Sequence, residues 1–548
     1  MNEVQASANL VSLADALETT DRFLRSDPVQ PARNVIRLAG LRGAARAFFI
    51  ARSLDHAPRP SLCLLPTDND AETFAADLGF FLERRERIRS ERARSLRVRY
   101  YPAWDVSVAE GLSPSTEVLA AQIEGLYDLL AVETPILVTS AEALLQRILP
   151  QEEFMTATLR LRIADDFPLS ELVEYCIQWG YRRVPLVEEK GEISVRGGIV
   201  DLFPPLAQLP LRIEFVGDTI ETMRSFDPVS QRSIDTVDEI MILPMRFFSV
   251  ARLQAARRTI EEALNEREIA HREQKRIIEN LKSGLSFPGV EFFLPYLYPD
   301  LEQVSEYMPR GAVVWAIDPA QQATVCETFW EQVVVRTHTA LEAGRFSPAP
   351  EQYYLSAEDA LGWRTAFVSV ELRNLETVDA DYTISSTLHT GLKAVTHTAG
   401  AEKSLAPLVG QIRCWQDEGM RVYLTVSSQR QAAHLQHLLL GYELKLPIEE
   451  HPGWQGEQDG QDMREVNDGQ NVHGAGAAIL VGHLSQGFSL PADGCVFLAE
   501  EEIFGERRHR RRSRPRPVAD YLTGLSQLTP GDYVVHTDHG IGCYNGLQ

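Results

Sequence analysis

Residues 191–234 constrain this chain more tightly than any other stretch, because their pattern fits a small twisted antiparallel sheet. Ile193 and Val195 alternate with polar neighbours, Gly197-Gly198 permits a tight turn, and Ile199-Val200 resumes extended structure. A second hairpin runs from Leu211-Arg-Ile-Glu-Phe through the turn Gly217-Asp218 into Ile220-Glu-Thr-Met-Arg.

On either side of this sheet the pattern is different. From about residue 31, apolar strands alternate with helices. Asn34–Ala39, Ser61–Pro66, Leu96–Tyr101 and Pro135–Thr139 read as strands. Ala44–Arg52, Ala71–Arg84, Glu117–Leu130 and Ala141–Ile148 read as helices. Apolar strands between helices of this length predict a parallel sheet covered on both faces. The sheet-rich segment 153–244 interrupts it, between a first part at 1–152 and a return at 245–348. That return opens on a long charged helix, Arg252–Lys282, expected to carry little core. It continues through the apolar block Phe287–Pro299 to a strand at Ala312–Asp318. A further α/β unit is expected at 366–505, with strands at 422–426 and 478–481 and a Gly-, Gln- and Asp-rich loop at 452–476. An Arg/Pro linker follows at 506–526. Residues 527–548 read as the first hairpin of a small barrel; one hairpin is not independently stable, so the chain is expected to be a fragment of a longer protein.

At 548 residues the chain has room for roughly three or four domains. No apolar run approaches the ~18 residues of a membrane span, and Met1–Ser7 lacks the basic start and apolar core of a secretory signal. Cys63, Cys176, Cys326, Cys414, Cys495 and Cys543 lie far apart with no Cys-x-x-Cys pair, as in reduced thiols of the cytoplasm. The formal charge of −23, from 77 acids against 54 bases, repels polyanions at long range and argues against a dedicated duplex-binding protein. Basic residues nevertheless cluster: eight arginines against two glutamates at 84–99, and seven arginines with no acid at 507–516. The first cluster reads as a solvated helix leading into a strand, the second as a flexible linker; contact with nucleic acid is the competing reading of each.

The chemistry turns on Gly40-Leu-Arg-Gly43-Ala-Ala45-Arg46-Ala47, after a strand and opening a helix. Against the phosphate-binding pattern G-x-x-x-x-G-K-[ST], Gly40 fits, but Ala45 replaces the second glycine, Arg46 the lysine and Ala47 the hydroxyl residue. A Cβ at 45 crowds the turn, a guanidinium replaces the compact ammonium, and no hydroxyl remains for Mg²⁺. Each lost charged hydrogen bond is worth ~1.5–3 kcal/mol. Whether this is a decayed phosphate loop or a chance Gly-rich turn, ATP hydrolysis is not expected here. Val496–Glu502 ends a strand in carboxylates that suit a helix N-terminus better than a magnesium site. His536-x-Asp538-His539 points its potential ligands to different faces of an extended run, and no metal is expected there. No Ser/His/Asp or Cys/His set can be assembled from the sequence.

The string at 191–234 closely resembles one shared by UvrB and the transcription-repair coupling factors, where it belongs to the domain that docks on UvrA. The decayed loop, and a stretch Tyr100–Ser115 whose aromatics reduce to Tyr100, Tyr101 and Trp104, match the coupling factors rather than UvrB. UvrB itself carries an intact loop and a long aromatic hairpin. Phe287–Pro299, the string from Gly482-His-Leu-Ser-Gln-Gly-Phe to Glu500-Glu-Glu-Ile-Phe-Gly-Glu-Arg507, and Val535–Gly546 resemble the coupling factors alone. The last is similar to the start of their RNA-polymerase-interacting domain.

This resemblance implies an α/β multidomain fold: a RecA-like parallel-sheet domain with a degenerate phosphate loop, interrupted by a small α+β domain, then a second α/β domain and a truncated barrel. It also implies a recruitment and self-regulation module rather than an enzyme. UvrA, RNA polymerase and the family's own C-terminal domains are the implied partners, and ATP and magnesium belong to a motor outside this sequence. The docking surface carries over to Arg182, Arg196 and Phe203, with Arg183 and Asp201 as neighbours. Structural readings stand beside these roles: Arg196 could pair with a local acid, and Phe203, before Pro204-Pro205, could be a core-edge aromatic. The competing class is an ATP-dependent, UvrB-like enzyme acting on DNA through residues 40–47.

Overall fold

The computed structural model describes residues 11–25, 34–86, 96–107, 111–267, 269–283, 287–374, 379–389, 405–449, 476–505, 533–536 and 540–543. Its centre is a seven-stranded, wholly parallel sheet. The strands run in the order Tyr382–Thr383, Val35–Ala39, Val368–Arg373, Val313–Ile317, Ser61–Leu65, Ile136–Ser140 and Val98–Tyr101. Central strands of a covered parallel sheet are buried on both faces, and Ser61–Leu65, Ile136–Ser140 and Val313–Ile317 are buried at every position. Alternate residues feed two cores. Leu62, Leu64, Leu137 and Val314 join one with the helix Thr116–Ala131 and the Phe287–Leu297 block; Cys63, Leu65, Val138 and Trp315 join the other with the helices Ala45–His56 and Asp68–Glu86.

The chain leaves this sheet after Ile136–Ser140 and re-enters it at Val313–Ile317. Within the excursion, six strands form a second sheet in the order Ser233–Thr236, Thr219–Phe226, Leu211–Val216, Ile199–Leu202, Glu192–Arg196 and Arg182–Arg183. All its pairings are antiparallel except the last. Leu211, Ile213 and Phe215 alternate inward along their strand, so one face holds an apolar core against the helix Leu169–Gln178 while the other carries polar side chains. A two-stranded ladder, Leu159–Arg162 with Glu239–Ile242, closes the unit.

The segment read as one long charged helix is instead three, Val250–Ala255, Arg257–Asn265 and His271–Ser283. It carries more core than expected: Leu253, Ile260, Leu264, Ile277 and Leu281 are all buried. Their apolar stripes, sparse in any short window, become visible only once the helices fold back on the first core. The strands at 368–373 and 382–383, at the head of the segment read as a separate 366–505 unit, hydrogen-bond into the seven-stranded sheet. A second α/β sheet then runs Ile448–Glu449, Ala477–Val481, Arg421–Val426, Cys495–Leu498 and Phe488–Leu490, parallel but for the final pair. Tyr533–His536 and Gly540–Cys543 pair as an antiparallel hairpin.

Arg507–Arg516, the 452–475 loop and Asp538-His539 lie outside the described residues, as do the side chains of 84–95. No described helix is long and apolar enough to cross a membrane. Among the described residues no three or more His, Cys, Asp or Glu side chains gather as a metal site would.

Candidate docking face and the loop at 40–47

The loop at 40–47 follows the edge-side strand Val35–Ala39 and opens the helix Ala45–His56, as a phosphate loop would. Gly40 and Gly43 both take positive φ, at 90° and 54°. The space in front of them is occupied by the chain itself. Ser386 Oγ donates to the Gly40 carbonyl at 2.7 Å and accepts from the Arg42 amide at 2.9 Å. A Cβ at Gly40 would lie 2.3 Å from the Ile384 carbonyl oxygen. Arg46 folds back: Nε donates to the Leu41 carbonyl at 3.0 Å, Nη1 pairs with Asp318 at 2.9 Å, and Nη2 bonds Asn374. Asp318 in turn accepts from the Asn374 amide and side chain at 2.9 and 3.0 Å. Ala45 and Ala47 are buried in apolar packing. Asp318, Asn374 and Ser386 went unnoticed in the sequence. Asp318 carried a usable signal, an acid closing the apolar strand Val313–Ile317, whereas Asn374 and Ser386 carried none.

The polar face of the six-stranded sheet is ordered by buried acids. Glu192 and Asp201 stand in strands beside Arg182, Arg196 and Arg212, and register places each acid next to its base. Arg182 Nη2 meets Glu192 Oε1 at 2.6 Å, while Glu192 Oε2 accepts the amides of Glu188 and Glu189 at 2.8 and 2.9 Å. Asp201, only 1% exposed, holds Arg196 at 2.9 Å and Arg212 at 2.7 and 2.9 Å. Those hydrogen bonds raise the Arg212 pKa further above its ordinary value. Arg212 also lies over the Phe226 ring at 4.8 Å.

The five residues singled out from the sequence are therefore unequal. Arg182 and Arg196 present guanidinium groups whose side chains are 58% and 53% exposed, and Asp201 is the buried anchor beneath one of them. The local acid that a structural reading of Arg196 requires is thus present. Arg183 is exposed but stands in register with the core residue Ile193, on the opposite face from Arg182. Phe203 lies on the same side of the sheet as Asp201 but is buried with Val187 and Phe226 in a small apolar cluster separate from the main core of the unit, so its ring is covered. Arg212 and Glu192 went unread; both sit at polar positions of alternating strands.

Comparison with known proteins bears on both sites. Residues 159–248 match the model of the UvrB interaction domain, and residues 528–548 match that of the CarD-like/TRCF RID domain. The chain is similar to the transcription-repair-coupling factor of Myxococcus xanthus, at 30% identity over 93% of this chain and 42% of that protein. Those of Bacillus subtilis and Escherichia coli are each 23% identical, with the same coverage of both chains. The chain thus spans less than half the length of these relatives.

Proposed function

From its membership of the transcription-repair coupling factor family, we propose that this chain is a recruitment module that binds UvrA through the polar face of its six-stranded sheet. The observation that carries this reading is the pair of half-exposed arginines, Arg182 and Arg196, each tethered to a buried carboxylate on a rigid sheet. Arginines held in one geometry lose little freedom when they bind, and they are favoured at the energetic centres of protein interfaces. The match of residues 159–248 to the UvrB interaction domain supports the same face. The hairpin at 533–543 is the proposed beginning of a contact with RNA polymerase, on the strength of the second family match. Self-regulation, by packing of the family's C-terminal domains against the docking face, belongs to the same reading, as does a cytoplasmic location.

The proposal includes no ATP hydrolysis and little or no duplex binding by this chain. Support for the first comes from Arg46 and Ser386, which consume the groups a triphosphate would need. The test is a titration of the chain against UvrA beside an Arg182→Ala/Arg196→Ala variant. Tight binding that the double substitution abolishes upholds the docking face, and binding indifferent to it removes the assignment. Hydrolysis of ATP by the purified chain, abolished by changing Arg46, would instead favour the UvrB-like enzyme.

A further inference from the structure

One helix of the large unit reaches into the six-stranded unit that carries the docking face. Thr116–Ala131 belongs to the first core through Leu119, Ile123, Leu126 and Leu129, yet its Ala120 packs in the core of the six-stranded unit. Glu124 and Asp128, on the same helix, are buried acids. Arg99, from the sheet-edge strand, bonds both, reaching Glu124 Oε2 at 2.6 Å. The remaining oxygen, Glu124 Oε1, accepts from Lys190 Nζ at 2.7 Å, across to the small unit. Lys190 also bonds the Pro205 carbonyl.

Lys190 lies in the turn 188–191, and that turn is laced to the docking strands. Its Glu188 and Glu189 amides hold Glu192 Oε2, whose other oxygen holds Arg182. Gly191, in the same turn, accepts from the Arg182 amide at 2.8 Å and donates to the Phe203 carbonyl at 2.8 Å. A continuous path therefore runs from Arg99 and Glu124 through Lys190, the turn and Glu192 to the Arg182 guanidinium.

We propose that Lys190 and Glu124 are positioning residues for partner docking: their ion pair fixes the 188–191 turn against the large unit and thereby sets where Arg182 stands. This rests on the UvrA-docking reading given above. Apolar packing around Ala120 already joins the two units, and a part-exposed ion pair adds little to stability. Its place in the path makes it an orienting contact. Holding a long arginine side chain in its bound geometry lowers the ordering cost of association.

The test uses the whole chain and five proteins: wild type, Lys190→Met, Lys190→Arg, Arg182→Ala and the Lys190→Met/Arg182→Ala double variant. Lys190→Met keeps the aliphatic stem and removes the charge. It is expected to weaken UvrA binding about tenfold, the scale of coupling within one network, with Lys190→Arg restoring most of the affinity. On the Arg182→Ala background the same change should cost nothing further. In parallel, amide hydrogen exchange at Glu188 and Glu189 should quicken in Lys190→Met. Unchanged affinity, an equal loss on both backgrounds, or unchanged exchange at those amides would overturn the proposal. If Arg182→Ala binds UvrA like the wild type, the docking assignment at Arg182 fails instead. Exchange at Glu188 and Glu189 then decides alone whether the Lys190–Glu124 pair fixes the turn.

Discussion

Arg46 Nη1 lies 2.9 Å from Asp318 Oδ2, so the residue at the lysine position of the loop is committed to an acid at the end of Val313–Ile317, one strand beyond the neighbour of Val35–Ala39. Both side chains are largely buried, and both also bond Asn374, which ties the loop to the end of the sheet.

Removing one partner of such a pair strands the other. Arg46→Ala is expected to destabilise the chain by about 3 kcal/mol, the lower end for breaking a buried pair. Denaturant unfolding would measure it, and a loss below about 1 kcal/mol would show that Asp318 finds water or Asn374 sufficient.

Gly40 is fixed by conformation and by space. With φ at 90° and the Ile384 carbonyl 2.3 Å from a Cβ, Gly40→Ala should cost at least about 2 kcal/mol. Gly410, within the helix Ala406–Asp417 and facing open space, is the control. There Gly410→Ala should stabilise by about 0.5–1 kcal/mol. Thermal melts of both variants beside the wild type check the pair.

Asp77 gives a pH dependence. Burial pushes its pKa up from 3.8 to about 6, against the opposing hydrogen bonds from Ser485. A carboxyl whose folded pKa exceeds its unfolded value favours the fold while protonated. Its contribution is complete below about pH 4 and is lost as pH rises through about 6, amounting to roughly 3 kcal/mol at most. Asp77→Asn should remove this term, so that variant and wild type diverge between pH 4 and pH 7. Parallel stability curves across that range would contradict it.

Asp201 anchors two arginines from a fully buried position. Asp201→Ala should destabilise by about 3–5 kcal/mol, because Arg196 and Arg212 lose their shared carboxylate. Arg196→Ala should leave the fold nearly intact, since Arg196 is half exposed, yet weaken UvrA binding by about 2–5 kcal/mol. Circular dichroism melts and a binding titration separate the two effects; equal losses of stability would reverse the roles assigned here.

Most strands of both large sheets were legible because their apolar runs are short and bounded, as at Ser61–Leu65 and Val313–Ile317; Val368–Arg373, Tyr382–Thr383, Ile448–Glu449 and Phe488–Leu490 were not read as strands. The hairpins of the small sheet were legible from Gly197-Gly198 and Gly217-Asp218. The helices at 250–283 were misread as one because no proline or glycine marks their breaks, at Ala256 and near 266–270. In the proposed docking face, Arg182 and Arg196 were named from the family resemblance. Arg183 and Phe203 could not be sorted from them until register assigned one to the opposite face and packing buried the other.

By itself, the sequence determined local geometry: which runs extend, where glycine must turn, and that Ala45, Arg46 and Ala47 depart from the phosphate-loop pattern. These are properties of a residue and its near neighbours, so they need no fold to be read. Tertiary structure decided the partners. Arg46 finds Asp318, Ser386 closes on Gly40, and Lys190 reaches Glu124 across separations of 272, 346 and 66 residues. Such pairings depend on crossovers and register, which place distant segments side by side at separations that no local pattern encodes.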